Sequence, residues 1–346
     1  MNTLCAQLGI ALPLIQAPMA GAQGSTLALA VGGTGGLGSM PSAMLAVDPL
    51  RAELQKLNQS GLPYNVNFFA HTPPLPDAAR DASWRQALAP YYAEYGLDVN
   101  AIPNGPGRQP FSAEIADVLT EFKPKIVSFH FGLPSPELLA RVKAWGAFVL
   151  SSATTVREAL WLQERGADAV IAQGLEAGGH RGHFLSMDLT EQMGTFALLP
   201  QIVAAVRIPV IAAGGIADAA GVRAAMGLGA SAVQVGTAYL CSDETSTSAM
   251  HRAALQSEAA RHTALTNLFS GRPARGIVNR LMRELGPISS AAPEFPQATN
   301  AIGPLRAAAE KVGCTDFTPL WSGQNASACT TGPAAEITHR LAEGFK

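Results

Sequence analysis

The chain has 346 residues, 48% of them hydrophobic and 14% charged, with 24 Lys and Arg against 26 Asp and Glu. Such a composition supplies a large apolar core and excludes a disordered chain. A net charge of −2 lacks the basic field that nucleic-acid and membrane-surface binders need, so a small-molecule ligand is expected.

The first 47 residues contain no Asp, Glu, Lys or Arg. A secretory signal needs a basic leading region, and a membrane span needs about 20 apolar residues. Gln7, Pro13, Gln16, Pro18 and the glycines interrupt this run, which therefore reads as buried structure. Cys5, Cys241, Cys314 and Cys329 lie far apart, without CxxC or zinc spacing. No disulfide framework or metal site is expected, and the default location is cytoplasmic.

In chain order, short apolar runs predict eight buried parallel strands: Leu14–Met19, Leu37–Met40, Tyr64–Phe69, Ile126–Phe131, Ala147–Ser152, Ala169–Gln173, Pro209–Ala213 and Ala232–Thr237. Helical patterns fall between them, at Ser25–Val31, Met44–Gln59, Asp77–Glu121, Pro136–Trp145, Thr155–Arg165, Phe196–Ala205 and Asp218–Leu228. Eight βα units in roughly 240 residues suit an α/β fold of the (β/α)8 TIM-barrel type better than a doubly wound sheet. Residues 1–240, completed by 313–346, are expected to form the barrel. Residues 241–312, with helices at Ser246–Arg261, Ile277–Leu285 and near Leu305–Val312, are expected to form a helical lid that sets substrate size.

Ligands of such barrels bind at the C-terminal ends of the strands. Gly33-Thr34-Gly35-Gly36-Leu37-Gly38 has the form GxGxxG, with Glu53 beyond it. It follows a helix and leads into a strand, the reverse of the dinucleotide fingerprint, and reads as a turn. A phosphate cradle is expected instead at Gly214 and Gly215 after strand seven and at Gln234, Gly236 and Thr237 of strand eight, where bare amides can face an anion. That position suits the phosphate of FMN. Pro18, Met19, Asn67 and Gln173 sit at other strand ends, placed to offer backbone and amide groups to an isoalloxazine ring.

Gln173 to Gly182 sets His180 behind the glycines Gly178 and Gly179 at the end of an apolar strand. This offers a base titrating near neutrality at the mouth; the alternative is a Gly-rich loop with an exposed histidine. His130, ending strand four, points into the mouth or is a satisfied core residue. His71 and His183 read as structural or solvent-facing, and the glycine between His180 and His183 argues against a zinc pair.

Together these residues resemble the nitronate monooxygenase family, in Gln16 to Gly21, Gly35 to Ser39, Asn65 to Phe69, Ser128 to Gly132, Gln173 to His180, Ala213 to Ile216, Gln234 to Thr237 and Leu320 to Gln324. The resemblance implies an FMN enzyme that detoxifies alkyl nitronates such as propionate 3-nitronate, using O2 and giving a carbonyl compound and nitrite. It implies His180 as the base for a neutral nitroalkane, with His130 and His180 sharing substrate binding, in cationic form if they attract the nitronate. It also implies that Trp321, Ser322 and Gln324 return over the mouth to the flavin. Two alternatives stay open: an NAD(P)H-dependent FMN reductase of quinones or enoyl thioesters, and a non-catalytic flavin-binding protein. No metal, nucleic-acid or membrane partner is expected, and homo-oligomerisation is left open.

Overall fold

The computed structural model of the protein describes residues 3–102 and 108–346. Its first part runs α1 (Thr3–Leu8), β1 (Leu14–Gln16), α2 (Ser25–Gly33), β2 (Gly38–Pro41), α3 (Val47–Gln59), β3 (Tyr64–Phe69), α4 (Ala78–Glu94), α5 (Ala113–Phe122) and β4 (Ile126–His130). It continues through α6 (Pro136–Ala144), β5 (Phe148–Ala153), α7 (Val156–Glu164), β6 (Ala169–Gln173), β7 (Gly179–His180), α8 (Thr195–Ala205), β8 (Val210–Ala213), α9 (Ala219–Gly227) and β9 (Ala232–Val235). The remainder holds α10 (Ala249–Leu255), β10 (Thr263–Thr266), β11 (Ala274–Ile277), α11 (Arg280–Leu285), α12 (Ala298–Lys311) and α13 (Ala334–Ala342).

Eight parallel strands follow the order β1-β9-β8-β6-β5-β4-β3-β2. The ring closes where Leu37 N–H donates to Leu14 O at 2.8 Å and Gln16 N–H to Leu37 O at 2.9 Å. The result is the expected (β/α)8 barrel. Alternation along the strands divides the core in two, because successive side chains point to opposite faces. Ile15, Ile126, Leu150, Ile171 and Ile211 point inward and meet Leu4, Cys5 and Leu8 of α1. Leu14, Val127, Val149, Val170 and Val210 point outward against the helices. The charge-free N-terminal stretch is thus spent on α1, which packs into the barrel interior, and on β1, α2 and β2.

The GxGxxG-like segment is the turn expected: Gly33 ends α2 and Gly38 opens β2. A Cβ on Gly38 would lie 2.0 Å from Ala28 O, so glycine lets this strand abut the helix. Glu53 caps α2 by accepting from Ser25 N–H at 2.8 Å.

Two expectations are revised. The span Asp77–Glu121 is two helices, α4 and α5, and its residues 103–107 lie outside the described ones. The segment 241–312 is not helical throughout: it contains the hairpin β10–β11, which adds β7 to make a three-stranded antiparallel sheet. Alternation over only four residues was masked by the neighbouring helical patterns. The lid also has a core of its own, in which Trp84, Leu88, Tyr91 and Tyr92 of α4 meet Leu281, Met282, Ile302, Leu305 and Phe317. A helix from between β3 and β4 therefore packs into the lid, tied by Tyr92 OH donating to Ala301 O at 2.6 Å.

Candidate active site

The C-terminal strand ends and the lid enclose a cavity of about 290 Å³. On one side, β8 and β9 end in Gly214 (φ +113°), Gly215 (φ +74°) and Gly236, all lining it. None of the hydrogen bonds among the described residues uses the N–H of Gly215, Gly236 or Thr237, so these donors are available to a ligand. The Gln234 side chain also lines the cavity, and its Oε1 is buried without a donor. A group with an anionic end and ring N–H donors satisfies both deficits, and FMN fits that description.

The returning C-terminal segment lies across this cradle. Gly323 N–H donates to Thr237 Oγ1 at 2.9 Å, Gln324 N–H to Glu176 O at 2.9 Å and Asn325 Nδ2 to Gly215 O at 3.3 Å. Glu176 itself sits at the N-terminus of α8, accepting from Thr195 N–H at 2.8 Å and Thr195 Oγ1 at 2.8 Å, where the helix dipole favours a carboxylate.

The opposite side carries the histidines. Gly179 and His180 form β7, whose pairing with Arg275 and Ala274 of β11 fixes the His180 backbone to the lid. Gln173 clamps the same turn: its Nε2 donates to His180 O at 3.0 Å and its Oε1 accepts from Gly182 N–H at 2.7 Å. Buried Arg181 adds Nη1 to Gly174 O at 2.6 Å and Nη2 to Gln173 O at 2.8 Å. His180 Nε2 lies 2.8 Å from Ser270 Oγ. His130 lies 3.1 Å from both Ser152 Oγ, through Nδ1, and His180 O, through Nε2. A carbonyl only accepts, so His130 Nε2 carries the proton and Nδ1 accepts from Ser152. Phe69 lines this end and packs with buried Phe131 and Phe295, with His180 5.3 Å from the Phe295 ring and 5.6 Å from Trp321.

The match of the nitronate monooxygenase family model extends over residues 2–344. The chain belongs to that family. It is 42% identical to a nitronate monooxygenase of Paraburkholderia phytofirmans over 98% of this chain and 93% of that protein. It is 41% identical to one of Pseudomonas aeruginosa, over 98% and 97%. Among solved structures, nitroalkane oxidase from Streptomyces ansochromogenes superposes with a TM-score of 0.89 at 37% identity, covering 99% of this chain and 98% of that one. FabK from Thermotoga maritima follows at 0.74 and 27%, covering 100% and 96%. The chain is thus an enzyme of the nitronate monooxygenase family, and no described helix is long and apolar enough to cross a membrane.

Of the residues expected from sequence, Pro18, Met19, Asn67, His130, Gln173, Gly178, Gly179, His180, Gly214, Gly215, Gln234, Gly236, Thr237 and Trp321 line the cavity. Ser322 and Gln324 do not: Ser322 is buried with its Oγ on Gly323 O, and the Gln324 side chain is exposed. Gly323 and Asn325 line it instead, because the chain crosses the mouth extended and alternate residues face away. Gln173 and Asn67 reach the cavity with amides already engaged, Asn67 Nδ2 lying 2.9 Å from Ser128 Oγ.

Charge is the larger revision. Burial, then the positive charge of Arg108, holds His180 well below its ordinary value, and burial lowers His130 to about 4. Both are neutral at pH 7, which suits the free base and disfavours the cationic attraction that the sequence left as an alternative. His71 and His183 are buried, not solvent-facing, with ring nitrogens that lack partners. Sequence reading missed Arg108, Ser270, His251 and Arg306, which come to the site from loops and the lid, and Ser152 of β5; an apolar-run search passes over such isolated polar residues.

Proposed function

We propose that the enzyme oxidises alkyl nitronates, propionate 3-nitronate among them, with O2 and FMN to a carbonyl compound and nitrite. The observation that carries this reading is a neutral histidine, His180, presented beside an anion cradle with unused N–H donors, in a chain of this family. Bound FMN supplies the electron-accepting chemistry that no protein side chain provides. Gly215, Gly236 and Thr237 would hold its phosphate, with Gln234 and the Pro18–Met19 backbone near the ring.

His180 takes the α-proton of a neutral nitroalkane. Ser270 Oγ has Arg272 O as a second neighbour at 3.3 Å, and when its hydroxyl donates there, His180 Nε2 is the protonated nitrogen and Nδ1 the basic one. Ser152, His130 and the His180 carbonyl form a relay of hydrogen bonds that fixes where the imidazole sits. Phe69 and Trp321, which line the cavity, keep water from the reacting carbon.

The likeness to FabK favours a second reading, a reductase that draws on NAD(P)H. Anaerobic mixing of the FMN-loaded enzyme with a preformed nitronate, and separately with NADH, decides between them. Bleaching of flavin absorbance by the nitronate alone is expected; bleaching by NADH alone overturns the proposal.

A further inference from the structure

We propose that Arg108 is a specificity-determining residue that pairs with a second anionic group on the substrate, so that the site selects nitronates bearing a carboxylate a short alkyl chain away. This rests on the reading of the cavity as a nitronate site. Arg108 lines the cavity, and its Nη1 is buried without a hydrogen-bond partner. None of the ion pairs among the described residues includes it. Glu176, the carboxylate lining the cavity, is already held by Thr195.

Arg108 and the base line one cavity, so a single substrate can meet both. Its guanidinium carbon lies 5.7 Å from the centre of the Phe295 ring, and the His180 ring lies 5.3 Å from the same centre. Cation and base therefore both lie near one phenyl ring, and both line the same cavity. Phe69, which lines the cavity and has its ring centre 5.9 Å from that of Phe295, offers an apolar surface to the alkyl chain between the two groups.

A buried cation without an anion is costly. Burial and the neighbouring charge of Arg306 lower Arg108 to about 10, which still leaves it cationic at neutral pH. An entering carboxylate removes that cost and meets a planar fork of donors matched to its two oxygens. Arg306, the other guanidinium of the lining, is exposed and paired with Glu310 at 2.7 Å, so it is the weaker anchor.

The test compares the nitronate of 3-nitropropanoate with that of its methyl ester, which differ by the one charge. In oxygen-consumption assays of the FMN-loaded enzyme, Arg108→Met is expected to lower the acid-to-ester ratio of kcat/KM by about ten- to a hundredfold, the range for a charge-assisted hydrogen bond. The change should fall mainly in KM, and Arg108→Lys should restore part of it. Calorimetric titration with succinate gives a readout independent of turnover, with at least a tenfold loss of affinity expected in Arg108→Met. If neither nitronate is oxidised while succinate binding still depends on Arg108, the nitronate reading falls and the anion site stands. If the ratio stays within twofold, or if turnover is absent and succinate affinity is indifferent to the substitution, the proposal is overturned.

Discussion

Gly178→Ala tests whether the returning segment presses on the cradle. An added Cβ would stand 2.5 Å from Gly323 N and 2.7 Å from Ser322 C, both backbone atoms. Ordinary contacts need about 3.5 Å, so one strand of chain has to retreat by roughly 1 Å. Such a shift stretches the 2.9 Å bonds from Gly323 N–H to Thr237 Oγ1 and from Gln324 N–H to Glu176 O beyond hydrogen-bonding range. Overpacking of this kind costs about 1–3 kcal/mol, and two neutral hydrogen bonds are worth about 1 kcal/mol each. Because Thr237 belongs to the cradle, FMN affinity should fall about tenfold or more along with the stability. Thermal unfolding and flavin absorbance after gel filtration read the two effects. Gly33→Ala, where the added carbon has nothing within 4 Å, is the control. Unchanged melting and full FMN retention in Gly178→Ala would refute the coupling of this segment to the cradle.

Two further outcomes are expected. His180→Asn should lower turnover of a neutral nitroalkane by about 10²–10⁴-fold and spare the preformed nitronate, which has already lost the proton; equal losses on both substrates would assign His180 to binding. Stability should fall between pH 6.5 and 5. Burial first, and Arg272 next, lowers His71 to about 4 and His183 to about 3, so the unfolded chain takes up protons first and the contribution present above about pH 6.5 is lost as pH falls toward the folded values. Each histidine contributes up to ~1.4 kcal/mol per pH unit, and a urea midpoint indifferent to pH across this window would contradict their burial as neutral rings.

The glycine turns at the mouth were legible because glycines at the ends of consecutive apolar strands bare the backbone amides just where a barrel opens: Gly214 and Gly215 adopt positive φ where the strand turns away. His180 was legible for a similar reason, as a titratable group set among glycines. The roles of Gln173 and His130 were not. Gln173 was read as facing a ligand and His130 as facing the mouth or as a satisfied core residue. Both line the cavity, while Gln173 also spends its amide on the turn at His180 and Gly182, and His130 spends both nitrogens on Ser152 and His180. A strand end shows which residues reach the mouth and leaves open which of them the backbone consumes.

The sequence by itself determined the barrel and its bottom-to-top polarity, since strand period, helix spacing and the order of βα units are local properties written in hydrophobicity. Only the tertiary structure decided the charge state of the site and the composition of its lid. Burial, which lowers His130 and His180, is a sum over neighbours far apart in the chain. Ser270 and Phe295 meet His180 in a lid where α4 packs with α12 and β11 pairs with β7. Those contacts join segments about a hundred residues or more apart, and no local pattern specifies which of them will close over the barrel.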